Sequence, residues 1–299
     1  MTKRKNTISK WIYAARPHTL GASIAPMLIL LAALIRSGNP GEWLLPYLLA
    51  LIVALFAQIS SNLANDYFDF RAEMDTPNRV GFERLISSGA VTPSGMLAAL
   101  CVSALVTAAS GVAFAYLEGW WILGVGAVVL LAMVGYSAGP FPLSHHGLGD
   151  LAVVLFYGLV PILVPCYALV GPPSLPLFCL ALGIGIWETN ILVCNNYRDY
   201  SEDLSAGKGT LVVRLGEKSG PRLYLLNALL SFAAFASGLL LMEIPPAGLY
   251  GWLFVLFAAM ALMTLRVYRR KGAELNRMLG ETNLLALLIG ASLFVLILL

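Results

Sequence analysis

Two short polar stretches, each closing a long apolar run, hold the residues best suited to chemistry in this chain. "SNLANDYFDF" covers residues 61–70 and "NNYRDYSED" covers 195–203. At 100° per residue, Asn62, Asp66, Asp69 and Glu73 fall within about 60° of one helix face. Asn195, Asp199, Glu202 and Asp203 spread over about 100° in the same way. The pattern Asn-x-x-x-Asp-Tyr occurs in both stretches, 133 residues apart. A carboxylate at the bilayer centre costs about 2.5–3.5 kcal/mol, less towards the interface, and clustered acids repel one another. A divalent cation removes both penalties. With oxygen donors and no His or Cys in either stretch, the expected ion is a hard one such as Mg²⁺. Mg²⁺ commonly binds through one or two carboxylates plus substrate phosphates. Two facing clusters therefore point to metal ions bridging a diphosphate. The plainer reading, solvated helix ends balancing nearby arginines, would suit a single acid better than two matched clusters.

Cations follow each stretch: Arg71, Arg79 and Arg84 after the first, Lys208 and Arg214 after the second. Ionisation of a diphosphate C–O bond leaves negative charge on oxygen, which such donors would stabilise. Their alternative task is to set membrane topology. Lys208 in "AGKGTL" is the foremost candidate, because flanking glycines let the backbone approach a phosphate. It is not a P-loop, whose Gly-x4-Gly-Lys-Ser/Thr pattern is absent.

The elements that hold these residues are apolar. Of 299 residues, 59% are hydrophobic and only 12% charged, with a mean hydropathy of +0.81. Soluble domains carry about 25% charge, so an integral membrane protein is expected. A helix needs roughly 20 apolar residues to cross a core of about 30 Å. Nine runs qualify: about 18–36, 44–64, 95–117, 120–138, 150–170, 174–194, 222–242, 247–265 and 282–299. They lack the alternation of a β-barrel. The fold class expected is all-α: a polytopic membrane protein of nine transmembrane helices forming a single domain over 1–299.

Of the 19 Lys and Arg residues, 18 lie on one side of such an arrangement, and only Arg36 on the other. The positive-inside rule then puts the N-terminus and those loops in the cytoplasm. The basic start followed by an apolar run is read as a first span, since no small-residue cleavage site precedes a mature domain. Cys101, Cys166, Cys179 and Cys194 sit singly in apolar runs and are read as small buried residues, with no disulfide or thiolate metal site. The longest connections, about 67–94 and 197–221, and the Gly- and Pro-rich stretch 137–150, share the cytoplasmic side, so a site is expected there. The repeated motif predicts two four-helix halves, about 18–138 and 150–265, related by an axis along the membrane normal. Helix 282–299 is left over.

These residues resemble the UbiA superfamily of intramembrane prenyltransferases. Its two aspartate-rich motifs look like "NDYFDFRAEMD" (65–75) and "DYSED" (199–203). "AARPHTLGASIAP" (14–26), "YSAGPFPLSHHGLGD" (136–150) and "NNYRDYSEDLSAGKGTLVVRLG" (195–216) look like its 1,4-dihydroxy-2-naphthoate polyprenyltransferase branch. The likeness covers essentially the whole chain. Two departures stand out. The last acid of the NDxxDxxxD pattern falls on Glu73, with Asp75 two residues later, and the Lys common in "RPKT" is His18 here.

The resemblance implies a UbiA-like helical bundle and a Mg²⁺-dependent reaction in the cell inner (cytoplasmic) membrane. Asn62, Asp66, Asp69, Asn195, Asp199 and Asp203 would hold Mg²⁺ on the diphosphate of a polyprenyl donor. The allylic C–O bond would ionise, and a hydroxynaphthoate ring would attack C1 and lose CO₂, giving demethylmenaquinol. Asp66, Asp69, Asp199, Asp203 and Tyr136 form the implied catalytic set, Tyr136 through its ring face or else as an interface tyrosine. Arg16, Asn65, Arg71, Arg79, Lys208, Arg214 and His145 form the implied substrate-binding set. Arg16 has a second reading as an interfacial anchor, and His145 and His146 as plain loop histidines. The prenyl tail, gaining about 0.8 kcal/mol per buried CH₂, would lie in an apolar tunnel open to membrane lipid. No nucleic-acid partner is expected.

Three rivals remain at this level. A cation transporter would use the same acids, but its sites tend to lie at the midplane on broken helices. A CDP-alcohol phosphotransferase would show a compact DG-x2-AR signature, which is absent. A UbiA-type enzyme for 4-hydroxybenzoate or homogentisate differs from the naphthoate reading only in its aromatic acceptor.

Overall fold

The computed structural model describes residues 7–72, 84–136, 141–242 and 244–299, which are helical and joined by short turns, with no strand among the described residues. The helices are α1 (Thr7–Ala15), α2 (Gly21–Ser37), α3 (Pro40–Arg71), α4 (Pro93–Glu118), α5 (Ile122–Gly135) and α6 (Gly149–Val170). They continue as α7 (Leu175–Arg198), α8 (Tyr200–Ser205), α9 (Leu211–Leu215), α10 (Ser219–Leu240), α11 (Pro246–Tyr268) and α12 (Leu275–Leu298). Their starts follow local chemistry. Thr92 and Ser174 cap α4 and α7 by accepting from Gly95 and Leu177 backbone N–H groups, and Pro40 and Pro93 occupy first-turn positions where no N–H is needed.

Each of the nine apolar runs is helical among the described residues. Among the described residues, seven helices are long and apolar enough to cross a membrane, and α2 and α5 are shorter. At 1.5 Å per residue, 17 and 14 residues cover only about 26 and 21 Å. A 3₁₀ turn over Pro17–Thr19 takes the start of the first run, and α5 stops before Tyr136. In the other direction, α3 extends well past the end of its apolar run and keeps Asp66 and Asp69 helical. The outward surface is apolar, with exposed side chains such as Leu105, Leu131, Phe254 and Val255. Edge-to-face pairs Tyr116–Trp120 and Trp121–Tyr167 gather at the end of α5 opposite Tyr136, as aromatic residues do at a membrane interface.

The core is built around α7, whose most apolar window is 67% buried, against 22–44% for the other long spans. Trp187 is fully buried, donates its indole N–H to the Thr282 carbonyl and meets Tyr224 edge to face. The motif-bearing helices α3 and α7 pack most extensively on α4 and α10 respectively, and α12 packs along α2. Gly290 of α12 lies against the Ala25 backbone, and Arg36 donates to the Ile297 carbonyl.

The tightest crossing is α6 on α7. A β-carbon on Gly158 would stand 2.5 Å from the Ala181 carbonyl oxygen and 2.6 Å from the Gly185 α-carbon. Both are backbone atoms and neither can rotate away. α6 takes a π-helical turn at Leu155–Leu159, across this contact, a device common at functional sites. Gly158→Ala is expected to force the helices apart and destabilise the protein by about 3 kcal/mol, read as a lowered Tm in detergent.

Candidate active site

The first motif is held in place by a turn near the N-terminus. The Asn62 amide donates to the Ala15 carbonyl and to the Thr19 hydroxyl, both at 3.0 Å. Gln58 donates to the same hydroxyl at 3.1 Å, and that hydroxyl donates to the Arg16 carbonyl at 2.9 Å. These bonds fix Arg16 in the left-handed region, φ 52° and ψ 67°, which is uncommon for a residue with a β-carbon. Its Nη2 thereby reaches Asp66 Oδ1 at 2.6 Å. Arg84, whose side chain is only 6% exposed, donates to both Asp66 and Asp69. One helix face thus carries two acids already met by two arginines.

The second motif sits where α7 ends. Asp199 has φ −92° and ψ 10° and breaks the helix, which resumes as α8. The Arg198 guanidinium grips both Asp199 oxygens at 2.6 Å and donates to Asn276 of α12 at 2.7 Å. Asp203 is buried on α8, with Lys208 Nζ at 3.9 Å and the Lys208 backbone N–H on its carbonyl. The glycine loop around Lys208 is braced from two sides. Gly209 N–H donates to the His145 carbonyl, and Arg214 Nε donates to the Gly209 carbonyl, each at 2.9 Å.

Asp69, Arg84, Arg198, Asp199, Asp203 and Lys208 line one polar cavity of about 140 Å³. It adjoins a larger, apolar cavity of about 460 Å³ between α2–α7. Arg16, Asn65, Tyr136, Leu192 and Asn195 belong to both walls. A charged head on one side and an apolar chain on the other would suit this pair of spaces.

The acids of the two motifs act on one another. Burial pushes the Asp203 carboxyl up to about 6, Asp199 and Asp69 push the same way, and Lys208 opposes them. A raised carboxyl favours the protonated folded state. Its stabilising contribution is full below the ordinary value of 3.8 and is lost as pH rises through about 6. In EDTA, Asp203→Asn should therefore raise Tm by a few degrees at pH 7.5, with the gain vanishing near pH 4. His145 is held below the ordinary histidine range, by burial first and then by Lys208.

The donor set fits Mg²⁺ in one particular way. Among the described residues, no three His, Cys, Asp or Glu side chains converge as a ready-made metal cage. Oxygen donors are instead spread round a wall where like charges already repel. That suits an ion completed by a ligand's own phosphate oxygens.

The sequence-predicted residues divide accordingly. Asp69, Asn195, Asp199, Asp203, Lys208, Arg16, Asn65 and Tyr136 meet at the polar cavity. Asn62 and Asp66 stand behind its wall, Asn62 holding the Arg16 turn and Asp66 holding Arg16 and Arg84. Arg71 is exposed at the end of α3 and lines neither cavity. Arg214 and His145 also line neither, and serve the Lys208 loop, His145 through its carbonyl. His146 stacks on Phe141. Arg79, Glu73 and Asp75 lie outside the described residues, as does the side chain of His18.

The UbiA prenyltransferase family matches residues 25–298. The chain belongs to the UbiA prenyltransferase family. Two of its relatives are the 1,4-dihydroxy-2-naphthoate octaprenyltransferases of Escherichia coli (strain K12) and Mycobacterium tuberculosis (strain ATCC 25618 / H37Rv). Each is 33% identical, over 87% of this chain and 85% of the first, and 93% of this chain and of the second. A 2-carboxy-1,4-naphthoquinone phytyltransferase from Synechocystis is 25% identical over 79% of this chain and 75% of its own. The UbiA fold is also seen in a homologue from Aeropyrum pernix K1, with TM-score 0.71 at 18% identity, covering 92% of this chain and 97% of that one. A homologue from Archaeoglobus fulgidus, bound to GPP and Mg²⁺, gives 0.66 at 14%, covering 96% and 100%.

In this UbiA-family member, several wall residues were not singled out from sequence. Arg198 reads there as a loop charge, while Arg84 stands among the cations expected to meet a diphosphate. Adjacent residues do not face each other on a helix, so Arg198 meets Asp199 only because the helix breaks there, and nothing local signals Arg84 folding back by 15–18 residues. Gln58, Tyr157 and Glu188 are polar residues inside apolar runs, and that placement was the available signal.

Proposed function

We propose that the protein transfers a polyprenyl group from its diphosphate to 1,4-dihydroxy-2-naphthoate, with loss of CO₂, giving demethylmenaquinol. The observation that carries this reading is the polar cavity sharing a wall with an apolar one. The names of the naphthoate octaprenyltransferase relatives supply the acceptor. Asp69, Asp199 and Asp203 would hold Mg²⁺, with Asn195 beside them and Asp66 keeping the arginines aligned. Mg²⁺, when bound, supplies neutralisation of the departing diphosphate. Lys208 and Arg84 donate to its oxygens, and Arg16, at the shared wall, holds either it or the acceptor carboxylate. Tyr136 faces the carbon that becomes positive and stabilises it through its ring. The tail lies among the apolar side chains of α4–α6.

The same reading includes nine spans, two four-helix halves (about 18–138 and 150–265) and helix 282–299. α2 and α5 span with the help of their flanking turns. The matched packing of α3 on α4 and α7 on α10 supports the halves. The N-terminus and polar cavity face the cytoplasm, as the distribution of Lys and Arg supports, in the inner membrane. The test is an acceptor competition in Mg²⁺-containing membranes with geranyl diphosphate. Product from the naphthoate is expected. Product from 4-hydroxybenzoate but none from the naphthoate would overturn the assignment.

A further inference from the structure

Seven residues before Asn195, on the same face of α7 and about 10 Å deeper, stands Glu188. It is 2% exposed and lines the apolar cavity, and neither carboxyl oxygen has a hydrogen-bond partner among the described residues. Tyr157 lines the same cavity, and its hydroxyl is engaged with Gln58 and Ser61. All four side chains line the same apolar space. Leaving a buried polar group unpaired is costly, and an intramembrane carboxyl marks a functional position by default. Yet packing here needs no acid, since Leu, Ile or Met would fill the volume.

The ligand is identified by elimination. A prenyl chain offers no hydrogen-bond donor, and a diphosphate or carboxylate belongs with the cations of the polar cavity rather than in this apolar one. Of the two substrates, only the aromatic acceptor carries a hydroxyl that can donate into this space. We propose that Glu188 accepts a hydrogen bond from a ring hydroxyl of the acceptor, as a specificity-determining residue. Tyr157 closes the same subsite. The acceptor then lies with its hydroxyl inward against Glu188 and its carboxylate outward, towards Arg16 at the shared wall. The proposal rests on the aromatic-acceptor reading above and adds the residue that orients the ring.

The experiment compares wild type, Glu188→Leu and Glu188→Gln with Mg²⁺ in proteoliposomes. KM and kcat are measured for the prenyl diphosphate, for 1,4-dihydroxy-2-naphthoate and for its two monomethyl ethers. Glu188→Leu is expected to raise the acceptor KM about tenfold or more and leave the donor KM within twofold. Glu188→Gln, which keeps an oxygen acceptor in place, should recover most of that loss. One monomethyl ether should be rejected by wild type and lose its handicap in Glu188→Leu. A rise in donor KM instead, or unchanged discrimination between hydroxyl and ether, overturns the proposal. If Glu188→Leu fails to fold, Glu188→Ala carries the same comparison. Should wild type turn over 4-hydroxybenzoate and not the naphthoate, the acceptor assignment fails. Glu188 is then decided on 4-hydroxybenzoate against its 4-methoxy ether. No turnover of any hydroxylated aromatic acid overturns both.

Discussion

Asp199→Asn should lower kcat about a thousandfold while the protein remains folded in the membrane, and Asp66→Asn should do the same by a different route. Asp199 lines the polar cavity and is clamped by Nε and Nη2 of Arg198. Neutralising it removes charge where a diphosphate and its counter-ion would meet, and losses of 10²–10³ are typical for one such electrostatic group. Asp66 stands behind the wall and is the common acceptor of Arg16 and Arg84. Its loss releases two cations from their aim. Prenyl transfer assayed over a Mg²⁺ titration separates the two. Higher Mg²⁺ should partly restore Asp199→Asn and leave Asp66→Asn unaffected. Activity within tenfold of wild type in either variant would count against the assignment.

Arg84→Met should destabilise the metal-free protein by about 3 kcal/mol, because breaking a buried pair from one side leaves an uncompensated charge. Asp66 keeps Arg16, but the Asp69 contact to Arg84 disappears. The side chains are 6% exposed for Arg84 and 13% for Asp69, so water repairs little of the loss. Thermal unfolding in detergent with EDTA would show a Tm lower by several degrees. Adding Mg²⁺ should narrow the gap, since a cation near Asp69 replaces the missing one. An unchanged Tm in EDTA would mean that Asp69 finds other compensation.

The bundle was legible because a membrane helix writes its length into the sequence. The apolar runs are helical, seven of them among the described residues long and apolar enough to span, and each polar stretch sends an Asn and an Asp to the polar cavity. Three of the cavity's acids were legible for the same reason: Asp69, Asp199 and Asp203 are expensive in apolar surroundings and needed an explanation, whereas Asp150, on the same wall, was not singled out. Helix ends were less so. α3 runs seven residues past its apolar stretch, because ion pairing to Arg16 and Arg84 makes Asp66 and Asp69 tolerable on a continuing helix. Arginine partners were the least legible part. Arg84 reaches back across a loop, and Arg16 depends on a left-handed turn held by Asn62 and Thr19, so neither contact has a local spacing rule. The Asn62 side-chain N–H groups hold that turn.

The wall shared by Arg16, Asn65, Tyr136, Leu192 and Asn195 has a consequence for the direction of traffic. In the proposed reaction, one molecule would straddle the wall, tethered on its polar side by charge and on its apolar side by the tail. Cleavage would cut that tether at the boundary itself. The diphosphate is left soluble only in water, and the alkylated ring is left soluble only in oil. Each product is thereby sorted to the compartment it already faces, and recombination would require both to return to the same threshold at once.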